Sequence, residues 1–230
     1  MANLYIVATP IGNLEDISKR ALRLLSEVDL ILCEDTRVTK KLLDRYEIKI
    51  PASSYHQHSK IKKIDYIIQL LEKGENLALV SDAGTPGISD PGNGLVNKVI
   101  ESLSDKVNII PVPGPSAVTA AASISGFPMD RFLFLGLPPA KKKRNKFFKE
   151  ISGSKYPVIF YESPYRILKT LDELKQVLAK NYKLQTTQLV ICRELTKKFE
   201  TVYRGDIEQI IKDVKNDKIK GEFVVLVKKP

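Results

Sequence analysis

Tryptophan is absent from this 230-residue sequence, and cysteine, methionine and histidine occur only twice each. The cysteines, Cys33 and Cys192, end apolar runs and are typical of small buried residues, so a disulfide framework is excluded. No apolar stretch is long enough to span a bilayer, and the apolar run near the N-terminus lacks the basic lead of a signal peptide. We therefore expect a soluble cytoplasmic protein without a membrane segment.

Two nucleotide-binding signatures are also missing. The sequence contains no G-K-[ST], which excludes the phosphate loop of an NTPase, and the segment "PIGN" at residues 10–13 lacks the G-x-G-x-x-G spacing of a dinucleotide site. Two histidines are too few to predict a metal site, so we predict none.

Positive charge is present in excess and is unevenly distributed. Residues 1–110 contain 14 Lys+Arg and 15 Asp+Glu, whereas residues 111–230 contain 23 and 12. A basic half joined to a neutral half indicates a polyanionic partner, most often a nucleic acid. A lysine-rich surface without a partner would give the same totals, so charge alone leaves both interpretations open.

The hydrophobic pattern predicts an α/β fold in two domains. Up to residue 112, continuous apolar strands alternate with amphipathic helices, which indicates a parallel sheet covered on both faces. The prolines of "PVPGP", residues 111–115, mark the boundary, giving domains 1–112 and 113–230. The second domain has two strands so close in sequence that a hairpin is expected, so its sheet should be mixed.

The loop "SDAGTPGISDPG", residues 81–92, is the most unusual segment. It is longer than a plain turn and dense in glycine and proline, which keeps backbone groups accessible in a rigid loop. Asp82 and Thr85 add a carboxylate and a hydroxyl, so the loop suits a ligand with amine, hydroxyl and adenine groups. A rigid structural loop is the alternative. In open α/β sheets ligands bind at the carboxyl ends of strands, where this loop should meet those after the other strands.

The second domain contains "PPAKKKRNKFFK", residues 138–149, at a predicted helix start. Lys141, Lys142, Lys143 and Arg144 form a candidate RNA-binding patch, where cationic side chains would neutralise phosphates. The alternative is an exposed lysine-rich turn whose phenylalanines face the core.

Seven ordered motifs make the sequence resemble one family, the ribosomal RNA small subunit methyltransferase I family, of the tetrapyrrole-methylase class. They span residues 3 to about 228 and are "LYIVATPIGNLEDIS", "CEDTR", "ALVSDAGTPGISDPG", "PVPGPSAV", "FYESPYR", "RELTK" and "GEFVVLV". The resemblance implies two α/β domains with S-adenosylmethionine in the cleft between them, and a homodimer. It also implies 2′-O-methylation of a cytidine in the decoding region of 16S rRNA in the small ribosomal subunit. Many members continue with a small helical domain, whereas this sequence ends at Pro230.

The resemblance also implies which residues hold the cofactor. They are Pro10, Gly12, Asp82, Gly84, Thr85, Ile88, Ser116, Ala117, Tyr161, Glu162, Ser163, Leu195 and Gly221. The spacing argument supports only the loop at residues 82–88 independently.

Methyl transfer to a ribose hydroxyl needs a group that accepts its proton. Candidate bases are Glu34, Asp35, His56, His58 and Lys60, and Arg37 is positioned to hold a carboxylate or a phosphate. "EDTR" would equally serve as a helix N-cap. The family usually has Asn-Glu after the second histidine, where this chain has Ser-Lys, so this chain has no carboxylate at that position.

Two other functions remain compatible with the sequence. One is methylation of a tetrapyrrole or another small molecule, and the other is a non-catalytic RNA-binding protein that retains the cofactor pocket.

Overall fold

The computed structural model describes residues 1–55, 61–90 and 92–230 of the chain. The chain divides into two compact units, Met1–Ser116 and Ala117–Pro230. Each unit contains one five-stranded sheet.

The first unit is built on a parallel sheet. Its strands are β1 (Ala2–Val7), β2 (Leu30–Cys33), β3 (Ala52–Ser54), β4 (Leu77–Leu79) and β5 (Val107–Val112), in the order β3-β2-β4-β1-β5. Every neighbouring pair is parallel, which confirms the sheet type predicted from the continuous apolar strands.

Helices cover both faces of this sheet. They are α1 (Lys19–Glu27), α2 (Thr36–Arg45), α3 (Ile61–Glu72) and α4 (Gly92–Leu103). Apolar residues of α1 and α2 form one core with the sheet, and those of α3 and α4 form the other. Helix α3 stops at Gly74, whose φ of +93° favours glycine, and the amides of Gly74 and Glu75 satisfy the last carbonyls.

The second unit has a mixed sheet. Its strands are β6 (Leu133–Phe134), β7 (Val158–Glu162), β8 (Gln188–Arg193), β9 (Thr201–Gly205) and β10 (Phe223–Lys228), in the order β6-β7-β10-β8-β9. Strands β6 and β7 are parallel, and the other pairs are antiparallel. The expected β8–β9 hairpin is present.

The helices of the second unit are α5 (Ala117–Ile124), α6 (Arg144–Gly153), α7 (Ile167–Ala179) and α8 (Ile207–Asn216). Helix α7 begins three residues after Pro164. The Ser163 carbonyl accepts the amides of Arg166 and Ile167, so Pro164 lies in the preceding turn. Over the three described ranges, no helix is both long and apolar enough to cross a membrane.

Candidate active site

Three loops of the first unit meet at the carboxyl edge of its sheet. Thr9, after β1, exchanges two backbone hydrogen bonds with Gly84, with N···O distances of 2.9 and 3.0 Å. The amide of Asp35, after β2, donates to Oδ1 of Asp82 at 3.0 Å. The loops containing "PIGN", "EDTR" and "SDAGTPGISDPG" therefore border one edge, as their positions after parallel strands predict.

The loop at residues 81–92 is held by its own polar groups and by its neighbours. The Thr85 hydroxyl donates to the Pro115 carbonyl at 3.2 Å, and the Thr9 hydroxyl donates to the Ser81 carbonyl at 3.1 Å. One carboxylate oxygen of Asp90 accepts the Gly87 amide at 2.6 Å. The loop is thus ordered without being part of the sheet, which is what a preformed binding loop requires.

Glycine shapes the floor of this edge. Gly84 has a φ of +86°, and a Cβ there would lie 3.5 Å from Cγ2 of Ile11 and 3.8 Å from the Pro115 carbonyl oxygen. A side chain at this position would fill the space beside Ile11. The surface therefore offers backbone groups, small hydroxyls and apolar contact.

The chemistry of this donor set suits a cationic ligand better than a polyphosphate. The exposed carboxylate of Asp82 suits a ligand with a cationic group. The backbone groups and Ile11 suit an adenosine. In the parts of the chain that the structure describes, no group of three or more His, Cys, Asp and Glu side chains is arranged to hold a metal ion.

The predicted cofactor residues of the first unit differ in exposure. Pro10 and Gly84 are buried, Thr85 and Ser116 are half-buried, and Asp82 is exposed. Two further members are exposed, Gly12 and Ile88. Ala117, the next residue of the chain after Ser116, begins α5 in the second unit.

Asp35 and Arg37 form a tight pair at the start of α2. The Asp35 carboxylate caps the helix by accepting the Arg37 amide at 2.8 Å, so the expected N-cap is present. The Arg37 guanidinium also binds both oxygens of this carboxylate, the closest contact being 2.6 Å. These hydrogen bonds to Arg37 lower the pKa of Asp35 to about 2. A carboxylate held in this way is a weak proton acceptor and a good anchor for Arg37.

Of the other candidate bases, Glu34 is the one that the structure describes. Glu34, between β2 and Asp35, is half-buried. His58, together with His56 and Lys60, lies outside the described residues. Tyr55, immediately before them, is buried, and its amide donates to the Cys33 carbonyl at 2.7 Å. Tyr55 therefore lies beside the end of β2.

The predicted cofactor residues of the second unit share one edge of its sheet. Tyr161 and Glu162 end β7, Leu195 follows β8, and Gly221 precedes the antiparallel β10. The register places Phe223 opposite both Glu162 and Arg193. Ser163 is the next residue after β7. The structure thus brings together five residues that the sequence spreads over sixty positions.

Glu162 is buried within an arginine network. Its side chain is fully buried, and its Oε1 lies 2.7 Å from the Ser163 amide and 3.0 Å from Nη2 of Arg166. Its Oε2 accepts the Thr170 hydroxyl at 2.5 Å and lies 4.0 Å from Arg144. Both carboxylate oxygens are therefore occupied by protein groups, so Glu162 is suited to positioning this edge.

Glycine is required at position 221 because the backbone there passes close to the Glu194 side chain. Its φ is +88°, and a Cβ there would overlap the Glu194 carboxyl group. Glu194 accepts the Glu222 amide at 3.0 Å and the Lys197 ammonium at 2.9 Å. Although burial opposes it, the Lys197 and Glu222 hydrogen bonds leave the pKa of Glu194 lowered.

The basic segment divides into exposed and buried parts. Lys141, Lys142 and Lys143 are exposed, which a phosphate-binding patch and a lysine-rich turn both require. Arg144 corrects the expectation, because its side chain is only 7% exposed and binds Glu173 at 2.5 Å. It also donates to the Pro139 carbonyl at 3.0 Å. A guanidinium so enclosed is not available to RNA, so we exclude it from the patch.

The sequence contained a signal for the position of Arg144. Phe147 and Phe148 lie three and four residues further along α6, on the same helix face, and both are buried. A helix face that buries the phenylalanines also buries Arg144. The Asp35–Asp82 hydrogen bond had no such signal, because its members are 47 residues apart. In the Glu162 network Arg166 lies at i+4 from Glu162, whereas Arg144 and Glu173 are 29 residues apart and their pairing had no local signal.

Comparison with known proteins places the chain among methyltransferases. The family model for Tetrapyrrole (Corrin/Porphyrin) Methylases matches residues 3–211. The chain is 42% identical to a Thermotoga maritima protein over 99% of this chain and 98% of that protein. It is 44% identical to a Halalkalibacterium halodurans protein over 97% and 75%. Both relatives are called ribosomal RNA small subunit methyltransferase I.

Solved structures show the same fold at much lower identity. A cobalt precorrin-4 methyltransferase superposes with a TM-score of 0.70 at 15% identity, covering 98% of this chain and 94% of that chain. The uroporphyrin-III-C-methyltransferase of Thermus thermophilus superposes with a TM-score of 0.64 at 16% identity, covering 97% and 93%.

Proposed function

Because this chain is a methyltransferase of the tetrapyrrole (corrin/porphyrin) methylase family and belongs to its ribosomal RNA small subunit methyltransferase I group, we propose that it methylates small-subunit rRNA with S-adenosylmethionine. The observation that carries the proposal is the meeting of three loops at the carboxyl edge of the first sheet, around the Thr9–Gly84 pair. Under this proposal the enzyme acts in the cytoplasm, where ribosomal subunits are.

The first unit provides the cofactor-binding residues of this proposal. Gly84 leaves the floor open, the loop backbone presents donors and acceptors, and Asp82 presents a carboxylate. The cofactor-binding role of four residues in the second unit remains a prediction from the family resemblance. They are Tyr161, Ser163, Leu195 and Gly221. Glu162 is proposed as a positioning residue instead.

Replacing Asp82 with alanine tests the cofactor site. Loss of a charge-assisted hydrogen bond should weaken S-adenosylmethionine binding by about tenfold or more in calorimetry. Asp65→Ala, which removes an exposed carboxylate from α3, is the matched control. Equal affinities for the two variants would contradict the role of Asp82.

The RNA substrate is supported by the names of the relatives and by the basic second half of the chain. Lys141, Lys142 and Lys143 present three exposed ammonium groups before α6, suited to phosphates. We propose the 2′-hydroxyl of a cytidine in the decoding region as the methyl acceptor. That position comes from the family resemblance.

The residues after β2 would prepare the nucleophile. S-adenosylmethionine supplies an activated methyl group, whereas a ribose hydroxyl is barely ionised at neutral pH. Positioning and proton removal are therefore the contributions required of the protein. We propose that Asp35 orients Arg37, whose side chain is 88% exposed, to hold a phosphate of the substrate. Glu34 and His58 remain the candidates for the base.

A pH–rate profile separates these two bases. A histidine base should give a rate that rises with an apparent pKa near 6.5, and a glutamate base one near 4.3. If His58 is the base, the rise should be absent from the profile of His58→Gln. If Glu34 is the base, it should be absent from that of Glu34→Gln. A profile that keeps its rise in both variants would exclude both residues.

We also propose a homodimer, as the family resemblance implies. Leu137, Tyr165 and Phe199 of the second unit are 52, 95 and 68% exposed. They follow β6, β7 and β8 at one edge, and large apolar side chains in such number are typical of an interface. Sedimentation equilibrium would test this, and a monomer at micromolar concentration would contradict it.

Methyl transfer from labelled S-adenosylmethionine is the decisive experiment. The substrates are small subunits lacking the modification, stripped small-subunit rRNA and a tetrapyrrole. Alkaline hydrolysis then spares a linkage next to a 2′-O-methyl ribose, so label in an alkali-resistant dinucleotide is the expected result. Label only in the tetrapyrrole would replace the proposal with small-molecule methylation. Cofactor binding without any transfer would indicate a non-catalytic protein.

A further inference from the structure

A second basic surface lies at the opposite edge of the second sheet, away from Glu162 and Gly221. A cavity of about 420 Å³ opens there, between the segment that joins α6 to β7, Tyr182 and the end of β10. None of the side chains described at its walls is acidic. They are Gly153, Ser154, Lys155, Tyr156, Pro157, Tyr182, Lys228, Lys229 and Pro230.

The lysines of this cavity are partly fixed in place. The Lys229 ammonium donates to the Ser152 carbonyl at 2.7 Å and to the Tyr182 hydroxyl at 3.1 Å, and it lies 5.0 Å from the Tyr182 ring centroid. These two hydrogen bonds use two of its three N–H donors. Lys155 is exposed at the rim. Because the Lys229 ammonium is already held in place, binding an anion there costs little side-chain entropy. The exposed Lys155 adds a second positive charge.

Tyr156 adds an aromatic face. It is 43% exposed, and the Arg131 guanidinium lies over its ring at 5.9 Å and 3.3 Å from its hydroxyl. A tyrosine flanked by arginine and lysine offers a stacking surface next to cations. Nucleic-acid bases and phosphates use these two kinds of contact together.

Helix α6 connects this cavity with the patch at Lys141–Lys143. Its ten residues span about 15 Å. Lys146 and Lys149 are exposed along it, whereas its phenylalanines face the core. Exposed lysines, interrupted by the exposed Glu150, therefore run from those before α6 to Lys155 after it.

We propose that single-stranded RNA follows these lysines and ends in the cavity, with a phosphate on Lys155 and Lys229 and a base stacked on Tyr156. The inference rests on the proposed RNA substrate. It adds a contact site at the edge of the second sheet opposite to Glu162 and Gly221, and none of its residues is proposed to take part in methyl transfer, so its loss should lower RNA affinity.

The test measures binding of stripped small-subunit rRNA as a function of salt. Removal of a phosphate contact lowers the slope of log K against log[salt] by about 1, so Lys155→Glu should flatten it by at least that amount. Tyr156→Ala should weaken binding about fivefold or more. Lys212→Glu is the matched control, because it reverses an exposed lysine on α8.

Three outcomes are distinguishable. A reduced slope for Lys155→Glu and weaker binding by Tyr156→Ala, with Lys212→Glu unchanged, supports the inference. Equal slopes for Lys155→Glu and Lys212→Glu, while the wild type binds rRNA in a salt-dependent manner, overturn the inference alone. Absence of salt-dependent rRNA binding by the wild type overturns the proposed function and this inference with it.

Discussion

The buried carboxylate of Glu162 provides the sharpest test of the structure. Glu162→Gln keeps the shape of the side chain and removes its charge. It leaves the guanidinium of Arg166, 3.0 Å away, without its buried counterion, and brings an amide donor close to Arg144. Breaking a buried ion pair costs about 3–5 kcal/mol. Arg166 is 28% exposed and Arg144 keeps Glu173, so we expect the lower end, about 3 kcal/mol.

Urea unfolding measures this cost. With a slope of about 2 kcal/mol per molar, the midpoint should fall by roughly 1.5 M. Hydrogen exchange of amides in β7 and α7 would show that the loss belongs to the second unit. Glu173→Gln is the matched control. It removes a partner that is 30% exposed, so solvent screening should limit its cost to about 1 kcal/mol.

The same variant tests how Glu162 acts. Because both of its oxygens bind protein groups, folded Glu162→Gln should bind S-adenosylmethionine with nearly unchanged affinity. A cost no greater than that of Glu173→Gln would refute the energetic argument. A large loss of cofactor affinity without a loss of stability would instead place the carboxylate in contact with the cofactor.

Three further predictions concern other parts of the chain. Gly221→Ala should lower the free energy of unfolding in urea by about 1–3 kcal/mol more than Gly74→Ala does. Both glycines have positive φ, but only at Gly221 would a Cβ point into Glu194. Equal losses for the two variants would contradict this close approach. Asp35, whose pKa is lowered to about 2, should stabilise the fold above about pH 4 and lose this effect as the pH falls toward 2, so wild type and Asp35→Asn should converge in acid unfolding; a constant difference would contradict the pairing with Arg37. Burial raises the pKa of Cys192 to about 11 and also raises that of Cys33, so a thiol reagent at pH 8 should label neither until the protein is unfolded; rapid labelling of the native protein would contradict their burial.

Hydrophobic periodicity by itself determined the two sheets. Continuous apolar strands require cover on both faces, and the structure provides it with two helix pairs over a parallel sheet. The short connection between β8 and β9 determined the hairpin in the same way. These features are local or nearly local, so the sequence alone predicts them. The glycine-rich loop was also recognisable, because a rigid segment of this length is rarely only a turn.

Only the tertiary structure decided which polar groups meet. Asp35 and Asp82 are 47 residues apart, and their hydrogen bond depends on the strand order β2-β4, which periodicity does not specify. The same holds for Arg144 and Glu173, whose pairing turns a residue of the basic segment into a buried anchor. Sequence pattern specifies which face of an element is apolar. Which group pairs with a buried charge depends on which elements pack together. The free energy of burying a charge is set by the protein atoms that replace water around that charge.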